Sequence, residues 1–212
     1  VLTGDLDDVA AVVAQPIATV LSALDRLPSV AGRHAAVIGL GPLGLLIAHA
    51  LKARGAAIVT GVDRVDRRDV GARFGLDRVV WDASHHWATT IDDDDRPDLI
   101  VEAVGHQVAT LNDAIEAARV GADLYAFGVP DSTHYPIAFQ RFFRKLLHLH
   151  GGNIQDWKRY LAEAEKYLID HPDLPRDYVT DVFPVDRAQE AFESAVRPAV
   201  GRLKVALIPP LI

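Results

Sequence analysis

The chain has 212 residues, half of them apolar and 24% charged, with 22 basic against 29 acidic side chains and a net charge of −7. That length can bury a full core, the acidic balance argues against non-specific binding to a phosphate backbone, and no apolar run approaches the ~20 residues of a membrane span. Cys and Met are both absent. There is therefore no disulfide framework and no thiolate metal site in this chain, and a cytoplasmic protein is expected. The missing Met makes a piece of something larger the expectation, with Val1 not the native start.

In chain order, Val9, Val12, Val13, Ile17, Val20, Leu21, Leu24 and Leu27 form an apolar stripe broken by Pro16. This predicts two helical pieces, with Pro16 in the first turn of the second. From about residue 34 strands and helices alternate. Ala35–Ile38 reads as a strand, Pro42–Arg54 as a helix closed by Gly55, and Ala57–Val62 as a strand. Arg64–Phe74 follows as a second helix closed by Gly75, then Arg78–Trp81 as a short strand. Asp98–Glu102 is a strand with a continuous apolar run, Gln107–Ala118 carries helical spacing, and Asp123–Phe127 is strand-like. Past residue 150, Trp157–Ile169 predicts an amphipathic helix and Val179–Phe183 a strand. Asp186–Val196 predicts a helix opened by a capping-box variant of Asp186 and Gln189, burying Ala188, Ala191, Phe192 and Ala195. Leu203–Ile208 is a final strand. The whole predicts an α/β fold with a Rossmann-type, doubly wound parallel sheet over residues 31–170. Residues 1–30 form a helical connection, and 171–212 a C-terminal segment.

The strongest local signal is Gly39-Leu40-Gly41-Pro42-Leu43-Gly44, set between a strand and a helix. Gly39 allows a tight turn, Gly41 lets a pyrophosphate approach the backbone, and Gly44 lets the helix pack against the strand. Asp63 follows at the end of the next strand, where a carboxylate accepts hydrogen bonds from ribose hydroxyls and repels a 2′-phosphate. A dinucleotide site is expected, with NAD favoured over NADP. Arg64, Arg67 and Arg68 weigh the other way, because guanidinium groups bind phosphate well.

With these residues in place, the sequence resembles the medium-chain dehydrogenase/reductase family, in particular its zinc-dependent alcohol, polyol and threonine dehydrogenase branches. The resemblance runs from about residue 10 to 208. It is carried by Gln15-Pro16-Ile17-Ala18-Thr19-Val20, the glycine motif with Leu45-Leu46, Asp63, Glu102-Ala103-Val104-Gly105 and Phe127-Gly128-Val129. Phe183-Pro184-Val185-Asp186 and Glu190-Ala191-Phe192-Glu193 complete it. It implies that backbone around Pro42 and Leu43 meets the pyrophosphate, and that Asp63 binds the adenosine ribose with Arg68 as the basic residue beside it. Val104 and Gly105 would lie along the cofactor. Phe127, Gly128 and Val129 would flank the nicotinamide. It further implies hydride transfer between NAD(H) and a small alcohol, polyol or amino-alcohol, zinc-assisted in the full-length protein. The zinc would sit in a catalytic domain absent here, to whose edge the flanking helices and strands would belong. The catalytic residues stay unassigned, and this piece alone is expected to be inactive.

Gln15 stands where polyol-type members often carry Glu near the zinc; its alternative role is a helix N-cap. The nine His, with His85 and His86 in a predicted loop, and the run Asp92–Asp95 show no ligand convergence, and the three Trp lack the basic interleaving of a nucleic-acid platform. A homodimer or homotetramer is implied by the resemblance, with Tyr135–Ala138 at the pairing edge. Two other readings stay open here. One is a free-standing NAD(H)-binding regulatory or redox-sensing module without catalysis; the other is a nucleotide-dependent methyltransferase.

Overall fold

A computed structural model describes residues 6–197 and 199–209. Its elements are α1 (Asp8–Leu24), β1 (His34–Ile38), α2 (Pro42–Ala53), β2 (Ile58–Asp63), β3 (Arg78–Trp81), α3 (Ser84–Thr90), β4 (Leu99–Glu102), α4 (Ala109–Ala117), β5 (Asp123–Ala126), α5 (Phe139–Arg144) and β6 (His148–Gly151). The chain continues with α6 (Trp157–Asp170), α7 (Leu174–Tyr178), β7 (Val179–Pro184), α8 (Ala188–Ala195) and β8 (Lys204–Ile208). They fall into two compact units: Ala23–Asn153, and the residues up to Ser22 together with those from Ile154 onward.

The larger unit is a six-stranded sheet in the order β3-β2-β1-β4-β5-β6, all strands parallel. A parallel sheet covered on both faces needs strands that are apolar throughout. Ala35–Ile38 and Leu99–Val101 meet that need, each at most 1% exposed. Alternate residues serve opposite faces, and Ala36, Ile38, Ile100 and Leu124 pack with Trp87, Ala114 and Ile115 of α3 and α4. The order reverses at β1, between β2 and β4, which opens a crevice at the carboxyl ends of the strands.

The opposite end of this sheet is braced by charge. Asp123, at the start of β5, accepts from Arg33 Nη1 at 2.8 Å and pairs with His150 Nε2 at 2.7 Å. At the far end of α4, Lys145 Nζ donates to the carbonyls of Ile115, Glu116 and Ala118, and Arg96 to those of Glu116 and Ala117. Two cations thus satisfy a helix C-terminus. Burial, with Arg96 and Arg141 nearby, pushes the Lys145 ammonium down to about 8.

In the smaller unit, β7 and β8 form a two-stranded parallel sheet, and α6 begins at Asp156, whose carboxylate accepts from the Arg159 N–H at 3.0 Å. No helix among the described residues is long and apolar enough to cross a membrane.

Four expectations change. Residues 8–24 form one helix with Pro16 inside it. Burial from Val13 through Leu24 outweighs the ~3 kcal/mol an interior proline costs. Arg64–Phe74 is not a helix but turns that end in a 3₁₀ segment, Gly71–Phe74. Asp63 and Asp66 accept from the backbone N–H groups of Val65 and Arg68, two residues on, and so compete with helix formation. The Asp186–Gln189 capping box does not form. A 3₁₀ turn (Val185–Arg187) precedes α8, Gln189 instead meets Glu193, and of the four expected core residues Ala191 alone is buried, with Phe192 at 64% exposure. His85 and His86 sit on α3 rather than in a loop.

Burial alone would raise the Asp123 carboxyl, but His150 and Arg33 hold it below the usual carboxylate range. A depressed folded pKa means the stabilisation is fully present above the unfolded value of about 3.9 and fades as pH falls through the folded value. Asp123→Asn is therefore expected to cost about 1–3 kcal/mol in urea denaturation at pH 7, with the difference from wild type shrinking as pH falls below about 3.9.

Candidate dinucleotide site

The turn after β1 brings backbone to backbone. A methyl group added at Gly44 would lie 1.8 Å from the carbonyl oxygen of Gly39, and one at Gly39, whose φ is +93°, would lie 2.7 Å from Val104 Cγ2. Nothing lies within 4 Å of the same position at Gly41. The N-terminal N–H groups of α2 therefore open beside bare backbone, with Pro42 in the first turn, where its missing N–H costs nothing.

Asp63 closes β2 and ties the turn together. One carboxylate oxygen accepts from the Leu40 N–H at 2.5 Å and the other from the Val65 N–H at 2.7 Å. Around it a cleft of about 300 Å³ is lined by Gly39, Asp63, Arg64 and Val104 on one side, and by Asp82, Ser84, His85 and Asp113 on the other. Ser84 Oγ donates to Asp113 at 2.6 Å, and His85 Nδ1 lies 3.2 Å from the same carboxylate.

A second cleft of about 590 Å³ lies at the ends of β4, β5 and β6. Gly105, Phe127, Gly128 and Val129 line it, with Tyr135 and the Gly151-Gly152-Asn153 stretch; Gln107 lines both clefts. Here two loops touch through glycine. A methyl group on Gly128 would lie 2.2 Å from the Gly105 nitrogen, and the His106 N–H donates to the Val129 carbonyl at 2.9 Å. Gly105 (φ +68°) and His106 (φ +54°) are both in the left-handed region, which is costly for a histidine.

Glu102 holds this arrangement. It is 4% exposed, and its Oε1 accepts from the N–H groups of Val104 at 2.9 Å and Gly105 at 3.2 Å and from Thr110 Oγ1 at 2.8 Å. The three hydrogen bonds offset the cost of burying so polar a side chain.

Of the residues singled out from sequence, Gly39, Asp63, Arg64, Val104, Gly105, Phe127, Gly128 and Val129 line one cleft or the other. Gly41, Pro42, Leu43, Gly44 and Arg68 are not among the lining residues. Gln15 is inside α1, where it donates to Thr19 Oγ1, and the N-cap is Asp7, which accepts from the Ala10 N–H at 2.7 Å. Tyr135–Ala138 is irregular in the single chain, and the sheet edge on that side is β6. Sequence reading missed the supporting role of Glu102, although a carboxylate ending the apolar run Leu99–Val101 was a usable signal. It also missed the Gly151-Gly152 pair at the end of β6. Among the described residues no three His, Asp or Glu side chains converge as a metal-binding group.

The family model described as zinc-binding dehydrogenase matches residues 42–166. D-arabinitol dehydrogenase 1 of Uromyces fabae is 27% identical, the match covering 97% of this chain and 60% of that protein. The chain thus spans about 60% of the length of this curated relative. Among solved structures, a putative zinc-binding dehydrogenase from Sinorhizobium meliloti 1021 bound to NADP superposes with a TM-score of 0.83 at 22% identity. It covers 98% of this chain and 61% of its own. A short chain alcohol dehydrogenase from E. coli CFT073 complexed with cofactor NADH gives a TM-score of 0.81 at 20% identity, with coverage of 97% and 61%. At these identities the two structures speak to the fold.

Glu102→Ala leaves two amides and a hydroxyl without their acceptor. It is expected to cost about 2–4 kcal/mol in chemical denaturation, against about 1 kcal/mol or less for Thr110→Val, which removes one donor.

Proposed function

The chain belongs to the zinc-binding dehydrogenase family, and on that premise we propose that it forms the coenzyme-binding part of an oxidoreductase. The reaction is hydride transfer between NAD(H) and an alcohol, polyol or amino-alcohol. The observation that carries the reading is the glycine turn tied to Asp63: bare backbone at Gly41, free N–H groups at the start of α2, and a carboxylate at the cleft wall. The curated relative acts on an arabinitol, and the two solved neighbours hold NADP and NADH. These support a polyhydroxy or simple alcohol substrate and a nicotinamide coenzyme.

When bound, the dinucleotide supplies the hydride acceptor or donor; the chain's own part is placement. The helix dipole and N–H groups around Pro42 and Leu43 favour the pyrophosphate by up to about 2 kcal/mol. Asp63 accepts the adenosine ribose hydroxyls and disfavours a 2′-phosphate, which supports NAD over NADP. Val104 and Gly105 carry the cofactor across from one cleft to the other. Phe127, Gly128 and Val129 offer backbone groups to the carboxamide and keep water from one ring face. Glu102 acts as a positioning residue, setting Gly105 against Gly128.

We also propose a homodimer formed along β6, the edge strand of the sheet. Phe139, Phe143 and Leu146, on and just after the helix that precedes β6, are 64–67% exposed and support it.

Titration with NADH, read by enhanced nicotinamide fluorescence, is expected to show saturable binding that Asp63→Ala weakens about tenfold, or about 1.4 kcal/mol. Absence of any signal with NADH or NADPH at millimolar concentration would remove the reading. In sedimentation velocity the protein should run as a dimer at micromolar concentration and Phe143→Glu as a monomer. A wild-type monomer under those conditions would exclude pairing along β6.

A further inference from the structure

The segment after Asp63 carries three arginines beside a ribose-binding carboxylate, a composition that by itself invites a 2′-phosphate. The structure assigns one of them, Arg68, elsewhere. Asp66 Oδ1 accepts from Arg68 Nε at 2.9 Å and Oδ2 from Nη2 at 2.6 Å, a two-pronged pair that uses one of the two guanidinium edges a phosphate could take. The guanidinium carbon of the same side chain lies over the Trp81 ring, 5.2 Å from its centroid. Trp81 is itself anchored, its Nε1–H donating to the Arg64 carbonyl at 3.0 Å, although the ring is 58% exposed. The Nε–Nη2 edge of Arg68 is therefore engaged by Asp66 and its guanidinium carbon lies over Trp81, and Arg68 is not among the residues lining the cleft that Asp63 and Arg64 line.

We propose that the Asp66–Arg68–Trp81 clasp is a specificity device: it withholds Arg68 from the 2′ position of the adenosine ribose and so enforces NAD(H) over NADP(H). The inference rests on the proposed coenzyme-binding function. Asp63 repels a 2′-phosphate directly, whereas Asp66 acts one step removed, by occupying the cation that would receive it. The exposed rim tryptophan has a purpose under this reading, since it holds the arginine flat against the end of β3. Arg64 keeps its place at the cleft, so the effect of the clasp must be separated from that of Arg64.

Asp66→Asn makes the separation. The amide retains an oxygen that can accept the Arg68 backbone N–H, now at 3.1 Å from Asp66 Oδ1, while the charged pair is lost. NADH and NADPH affinities are measured by fluorescence titration at low salt for wild type, Asp66→Asn, Arg68→Ala and the double variant. Wild type should prefer NADH. Asp66→Asn should tighten NADPH at least fivefold with NADH changed less than twofold, and the double variant should lose that gain. An unchanged NADPH-to-NADH ratio in Asp66→Asn, a gain that persists without Arg68, or a wild type with no preference would each overturn the clasp while leaving the coenzyme site standing. Failure of both dinucleotides to bind any of the proteins would instead overturn the function on which the clasp depends.

Discussion

Gly39 and Gly44 meet so closely that a single added carbon would lie 1.8 Å from a carbonyl oxygen, and most of the site follows from that contact. It lets α2 start hard against the end of β1, so that the helix N-terminus opens at the crevice rather than beside it. It also brings Leu40 within reach of Asp63, which links the turn to the end of β2. The position opposite Gly39 is taken by Val104, and Val104 is held in turn by Glu102. A chain of short contacts thus runs from β2 through β1 to β4 and on to Gly128 after β5. It contains two carboxylates, and each acts by collecting backbone N–H groups.

The parallel sheet separates tasks by direction. All six strands run the same way, so the turns that line the two clefts lie at one end, while the other end is free for bracing by Arg33, Asp123 and His150. Substitutions at that end are felt as stability rather than as altered recognition, because no lining residue of either cleft is drawn from it.

Much of this was legible in the sequence, because the features concerned are local. The β1 turn, the continuous apolar runs of β1 and β4 and the alternation of strand and helix each depend on residues within a few positions of one another. What failed depended on partners that spacing does not reveal. The helical period of Arg64–Phe74 is genuine, but Asp63 and Asp66 offer the backbone a closer acceptor, and the turn wins. Pro16 reads as a break because its local cost is known, whereas the burial that offsets it comes from the tertiary structure. On α8 the apolar face carrying Phe192 lies open among the described residues, so amphipathic spacing there signalled a surface rather than a core. The same limit hid Glu102, whose three donors come from Val104, Gly105 and the start of α4.

Asp63 has one further property, which is a matter of counting. A carboxylate offers about four lone-pair directions, and the Leu40 and Val65 amides already take two. Two remain, enough for the paired hydroxyls of a ribose and for no third donor. Under the proposed function, an incoming sugar would complete a coordination sphere that the fold has half filled. The turn is already pinned by the two amides, so little of the recognition would be lost to ordering the loop on binding. Replacing one hydroxyl by a phosphate would remove a donor from that sphere and leave a lone pair facing a negative charge. Discrimination at this position would then be a question of vacancy as much as of charge.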